Sequence, residues 1–122
     1  MPKTILVVDD DRLAVELAKH NLEACGYAVL TAPNGQEALE RLKSKIPDLI
    51  ILDVQMPDMN GYTFIIEKDK IPEYVNIPVV MLTASNETEP LFRRHRVKEY
   101  LIKPVKPQDL VDKVAQLAGP PD

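Results

Sequence analysis

The chain has 122 residues, 45% hydrophobic and 28% charged, a composition that fits one globular domain and excludes a disordered or fibrous chain. Fifteen basic against 19 acidic side chains give a net charge of −4, which argues against a general nucleic-acid binder. The one cysteine, Cys25, rules out an internal disulfide, and no Cys/His cluster exists for zinc.

The elements follow in chain order. Thr4–Asp9 is an apolar run of strand length, and the residues before it lack a signal peptide's long apolar stretch, so a cytoplasmic location is expected. A helix follows, with Ala14, Leu17, Ala18, Leu22 and Cys25 on its inner face and Gly26 closing it. Tyr27–Ala32 is the second strand. Asn34 then caps a helix with Glu37 three residues on, its apolar stripe formed by Ala38, Leu39, Leu42 and Ile46 and its end set by Pro47. Asp48–Asp53 is the third strand, Gly61–Ile71 a helix, and Ile77–Thr83 the fourth strand. A short, polar helix containing Pro90 is expected within 86–96, then a strand over Lys98–Ile102. The last helix, Pro107–Ala118, turns Leu110, Val111, Val114, Leu117 and Ala118 inward, and residues 119–122 read as a tail or the start of a linker.

Strands alternating with helices imply a single five-stranded parallel sheet covered on both faces, because parallel strands need crossovers and its central runs are apolar without alternation. A flavodoxin-like order 2-1-3-4-5 is the expected winding of this α/β domain, spanning residues 1–118. Neither wholly apolar run, Ile5–Val8 or Leu49–Leu52, is long enough to span a bilayer, so no membrane association is expected.

Polar residues collect at the strand ends. Asp9 and Asp10 follow the first strand, Asp53 ends the third, Thr83 ends the fourth and Lys103 follows the fifth. In an open α/β sheet these carboxyl ends border the ligand crevice. Three carboxylates there repel one another unless cations sit among them, and Lys103 and a hard divalent ion such as Mg²⁺ are the fitting counter-charges. A carboxylate beside Mg²⁺, a hydroxyl and a lysine meets the needs of phosphoryl transfer to an aspartate.

The segments Ile5-Leu6-Val7-Val8-Asp9-Asp10, Leu52 to Gly61, Leu82-Thr83-Ala84 and Tyr100-Leu101-Ile102-Lys103-Pro104 resemble, in order, the receiver domain of two-component response regulators. The resemblance implies that Asp53 is the phospho-acceptor, taking phosphate from a histidine kinase or phosphotransfer protein. It implies that Asp10, Asp53 and the backbone carbonyl of Gln55 hold Mg²⁺, with Asp9 acting through water. By the same resemblance Lys103, ahead of a cis bond to Pro104, and Thr83 contact the phosphoryl group, helped by the Ala84 backbone N–H. Thr83 and Tyr100 form the switch, and catalysis is limited to weak self-phosphorylation and self-dephosphorylation. An output domain or protein partner is implied without being identified.

Other readings compete with these. Asp11 is read as a helix cap, His20 and His95 as solvated, and Cys25 as core. The segment between Thr83 and Lys103 departs from the family, being short and carrying Arg96-Val97 where Gly-Ala is usual. Residues 93–106 carry a net +5, leaving −9 for the rest; a solvated basic face and a site for an acidic partner both fit. A phosphorylation-independent pseudo-receiver is the alternative function. An aspartate-nucleophile phosphatase fits less well, because it needs a second acid where Gln55 stands.

Overall fold

The computed structural model describes residues 2–53, 61–83, 97–103 and 105–122. Strands β1 (Thr4–Val8), β2 (Ala28–Ala32), β3 (Leu49–Asp53), β4 (Val79–Thr83) and β5 (Val97–Ile102) form one parallel sheet in the order β2-β1-β3-β4-β5. Helices α1 (Arg12–Ala24), α2 (Gly35–Ser44), α3 (Gly61–Asp69) and α4 (Pro107–Ala118) are the helices of the described residues. The helix expected within 86–96, and with it Arg93 to Arg96, lies outside those residues.

Every residue of β1 and β3 is buried, as expected of central strands covered on both sides. Because successive side chains point to opposite faces, Leu6, Val8, Ile50 and Leu52 pack with Ala38, Leu42, Phe64 and Ile65 of α2 and α3. Ile5, Val7, Leu49 and Ile51 pack instead with Val15, Ala18 and Leu22 of α1 and with Leu110 and Val114 of α4. Each fully buried Leu or Ile contributes about 1.5–3 kcal/mol from removal of apolar surface from water.

Local chemistry sets the helix ends. The Asp11 carboxylate accepts from the Leu13 and Ala14 N–H groups at 3.0 and 3.3 Å, so the cap reading holds. Asn34 Oδ1 accepts from the Glu37 N–H at 2.9 Å. Helix α1 ends at Ala24, and Gly26 turns the chain away with a φ of +101° that only glycine adopts readily; a Cβ there would also lie 3.2 Å from Pro121.

Three expectations about the core are corrected. The buried stripe of α1 is Val15, Ala18 and Leu22, and Leu17 is 54% exposed. Cys25 is exposed rather than core, because the helix ends before it and the chain turns away. Helix α2 ends at Ser44, Lys45 is extended, and Ile46 is half exposed. The second to fourth strands begin one or two residues later than expected, β5 begins one earlier, and α3 ends at Asp69 rather than Ile71. The sequence pattern also conceals Lys68, which is fully buried in α3 with its Nζ 2.8 Å from Asp69 Oδ1 and 3.4 Å from the Val75 carbonyl.

Residues 119–122 are held against the domain. The Lys3 N–H donates to the Pro121 carbonyl at 2.7 Å, and the buried Tyr27 hydroxyl donates to the Gly119 carbonyl at 2.8 Å. Tyr27→Phe removes one hydrogen bond and strands that carbonyl, so it should cost about 1 kcal/mol, or roughly 3–5 °C in Tm by calorimetry. No helix of the described residues is long and apolar enough to cross a membrane.

Candidate phosphorylation site

The register of the sheet brings the strand-end residues together. Val8 pairs with Leu52, so Asp9 emerges beside Asp53; Asp53 pairs with Leu82, and Thr83 with Ile102 just before Lys103. Carboxylate oxygens of Asp9, Asp10 and Asp53 all lie within 4.8 Å of one another. Asp9 and Asp53 are buried, at 2% and 4% exposure, while Asp10 opens to solvent. Hard oxygen donors this close, one of them open to water, suit a small divalent cation.

Lys103 supplies the positive charge that the described residues bring to this cluster, its Nζ 3.0 Å from Asp53 Oδ1. Partial burial pulls the Lys103 pKa down. The hydrogen bond to Asp53 and the charges of Asp53, Asp9 and Asp10 outweigh this and hold it above the ordinary lysine value. The Asp9 pKa is raised as well, to about 6, which for a carboxylate disfavours the charged form. Burial is the main cause; the Asp11 N–H, donating to Asp9 Oδ1 at 2.9 Å, and the Lys103 charge offset part of it, while the charge of Asp53 and a hydrogen bond with it add to it.

The structure thus gathers Asp9, Asp10, Asp53 and Lys103. Thr83 closes β4, and Tyr100 lies on β5 opposite Met81. Gln55, Ala84 and Pro104 lie outside the described residues. Two grooves meet at the cluster. One, of about 460 Å³, runs from Asp9 and Lys103 between α1 and α4 past Leu17 and Leu110. The other, of about 380 Å³, lies toward β2, where Asp9, Asp10, Arg12, Glu16 and Thr31 line it. Arg12 is a residue that the strand-end pattern does not indicate; its signal in the sequence is a cation in the first turn of a helix, directly after three aspartates.

A doubly wound sheet with a cation-competent carboxylate cluster and a lysine at its topological switch point defines the class of domain. The model of the response regulator receiver domain family matches residues 5–115, and the chain belongs to that family. It is 40% identical to an uncharacterized 14.6 kDa protein of Leptolyngbya boryana, over 97% of this chain and 93% of that one. It is 38% identical to the alkaline phosphatase synthesis transcriptional regulatory protein PhoP of Bacillus subtilis, covering 90% of this chain but 46% of PhoP. Among solved structures, chemotaxis protein CheY4 of Vibrio cholerae superimposes with a TM-score of 0.90 at 31% identity, over 96% and 99% of the two chains. Receiver domains generally use Mg²⁺ at an acidic pocket and work with histidine kinases or phosphotransfer proteins.

Proposed function

We propose that this chain is a phosphorylation-controlled receiver whose phospho-acceptor is Asp53. The observation that carries the reading is the Lys103 ammonium 3.0 Å from the buried Asp53 carboxylate, inside a cluster of three acids. An Asp53 oxygen attacks the phosphorus of a phosphohistidine on a kinase or phosphotransfer protein. The phosphorus–nitrogen bond breaks, and its electron pair returns to the imidazole. Lys103 holds positive charge beside the nucleophile and then beside the transferred phosphoryl oxygens. Asp10 and Asp53, with the Gln55 backbone carbonyl, would hold Mg²⁺, and Asp9 would reach it through water. The ion supplies further neutralisation of the phosphoryl charge.

The Thr83 hydroxyl and the Ala84 N–H would bond the transferred phosphoryl oxygens. Movement of Thr83 would let Tyr100 repack, switching a partner-binding surface. A donor protein reaching Asp53 meets the groove between α1 and α4, which opens at Asp9 and Lys103. The domain is a weak catalyst of its own phosphorylation and dephosphorylation only, acts in the cytoplasm and binds no nucleic acid itself. A pseudo-receiver would have no use for the Asp53–Lys103 pair.

Incubation with acetyl phosphate and Mg²⁺ should add one phosphoryl group, located on Asp53 by peptide mass spectrometry. Chelator should prevent it. A phosphoryl group on another residue, or equal labelling in chelator, overturns the reading.

A further inference from the structure

We infer that the groove between α1 and α4 is a subsite for the acyl chain of small acyl phosphates, so that Asp53 takes phosphate more readily from a donor with a short apolar chain than from acetyl phosphate. The inference rests on the phospho-acceptor reading of Asp53 and names the class of small donor that the site prefers.

Two observations carry it. The first is continuity with the phosphorylation site. The groove, of about 460 Å³, is lined at one end by Lys103 and by the buried Asp9. The Lys103 ammonium is itself 3.0 Å from Asp53 Oδ1, so the groove opens beside the nucleophile. The second is the chemistry along its length. Asp11, Ala14, Ala18 and Asn21 recur every three or four residues, so the groove follows one face of α1 for about 15 Å. Past Lys103 its walls are apolar, with Ala14, Leu17 and Ala18 on the α1 side and Val105 and Leu110 opposite. A cation at one end of an apolar groove complements an anion that carries an apolar tail. The acids at the mouth do not oppose this. The Asp11 carboxylate is engaged with the Leu13 and Ala14 N–H groups, and Asp9 belongs to the cluster that a divalent cation would neutralise.

The chemistry makes the preference measurable. Asp53 attacks phosphorus, the bond from phosphorus to the bridging oxygen breaks, and its electron pair leaves with the carboxylate product. Acetate and butyrate are leaving groups of nearly equal basicity, so acetyl and butyryl phosphate differ in binding rather than in reactivity. Butyryl phosphate carries two more methylenes. Leu17 is 54% exposed, so the groove is open on one side and covers a chain about halfway. Two fully buried methylenes raise affinity roughly 15-fold, and half covered they raise it about fourfold. Such contacts are equally strong in the ground and transition states, so they lower KM and leave kcat alone.

The experiment compares initial rates of Asp53 phosphorylation by the two donors at saturating Mg²⁺, for wild type, Ala14→Leu and Leu17→Gln. Leucine at 14 fills the groove near its mouth while keeping a strong helix former. Glutamine at 17 makes one wall polar at an exposed position, where folding tolerates it. Wild type should show a kcat/KM about fourfold higher for butyryl phosphate, expressed in KM. The ratio should fall below about 1.5-fold in Ala14→Leu and to about twofold in Leu17→Gln, with the constants for acetyl phosphate within about twofold of wild type. Equal constants for the two donors in wild type overturn the inference, as does a preference carried by kcat or one retained in full by Ala14→Leu. If Ala14→Leu lacks a native melting transition, the same criterion applies to Leu17→Gln. If neither donor labels wild-type Asp53, the phospho-acceptor reading itself falls and takes this inference with it.

Discussion

Asp53→Asn should abolish phosphorylation by any donor, and Asp10→Ala should slow it on the order of 100-fold, both without unfolding the domain. Asparagine keeps the shape of Asp53, so the packing at the end of β3 survives; its amide offers no anionic oxygen to attack phosphorus. Lys103 loses its partner at 3.0 Å, but its side chain is 38% exposed and can turn to water, so little stability is lost. Asp10 is the solvent-facing member of the three-carboxylate cluster. Removing it takes away one hard oxygen ligand while leaving the nucleophile in place, so loss there reports on cation binding rather than on chemistry at Asp53. Stoichiometry by intact mass, followed over time, separates the two variants. Labelling of Asp53→Asn at the wild-type rate would contradict the assignment, as would an unimpaired Asp10→Ala.

The strand ends made this site readable before any fold was known. Continuous apolar runs such as Ile5–Val8 and Leu49–Leu52 need cover on two faces, which demands parallel strands and crossover helices. Once the strands are parallel, Asp9, Asp53, Thr83 and Lys103 must share one edge of the sheet. The helices were less legible. In α1, Val15, Ala18 and Leu22 form the buried stripe at spacings of three and four, yet Ala14 and Leu17 continue an apolar line through the same Ala18 and Leu22. Periodicity cannot choose between them, because the choice depends on how the helix is rotated against the sheet. Cys25 fails for another reason: the periodic pattern runs one residue past Ala24, where the helix ends, onto the cap just before Gly26 turns the chain. Lys68 was invisible because a lysine in a helix reads as solvated, and only its contacts with Asp69 and Val75 reveal that it is not.

Asp9→Asn should make the ion-free protein more stable at neutral pH and remove part of its pH dependence. The native carboxyl of Asp9 titrates at about 6, against an ordinary value of 3.8. Native protein therefore holds the proton more tightly than unfolded protein does. Between these two values the native state binds more protons, so stability falls as pH rises, and above about 6 the whole penalty is present. For a carboxyl this deeply buried the penalty at neutral pH is roughly 2–3 kcal/mol. Asparagine carries no charge to desolvate, and its side-chain oxygen can still accept the Asp11 N–H that fixes the entry to α1. In chelator, the difference in Tm between the variant and wild type should be small near pH 4 and should grow to several degrees by pH 7. Mg²⁺ should shrink the gap at pH 7, because a divalent cation takes the place of the proton in neutralising the buried Asp9 charge. A parallel pair of Tm curves across this range, in chelator, would show that Asp9 is not a penalised charge. A gap that survives saturating Mg²⁺ would show that the acids do not share the ion.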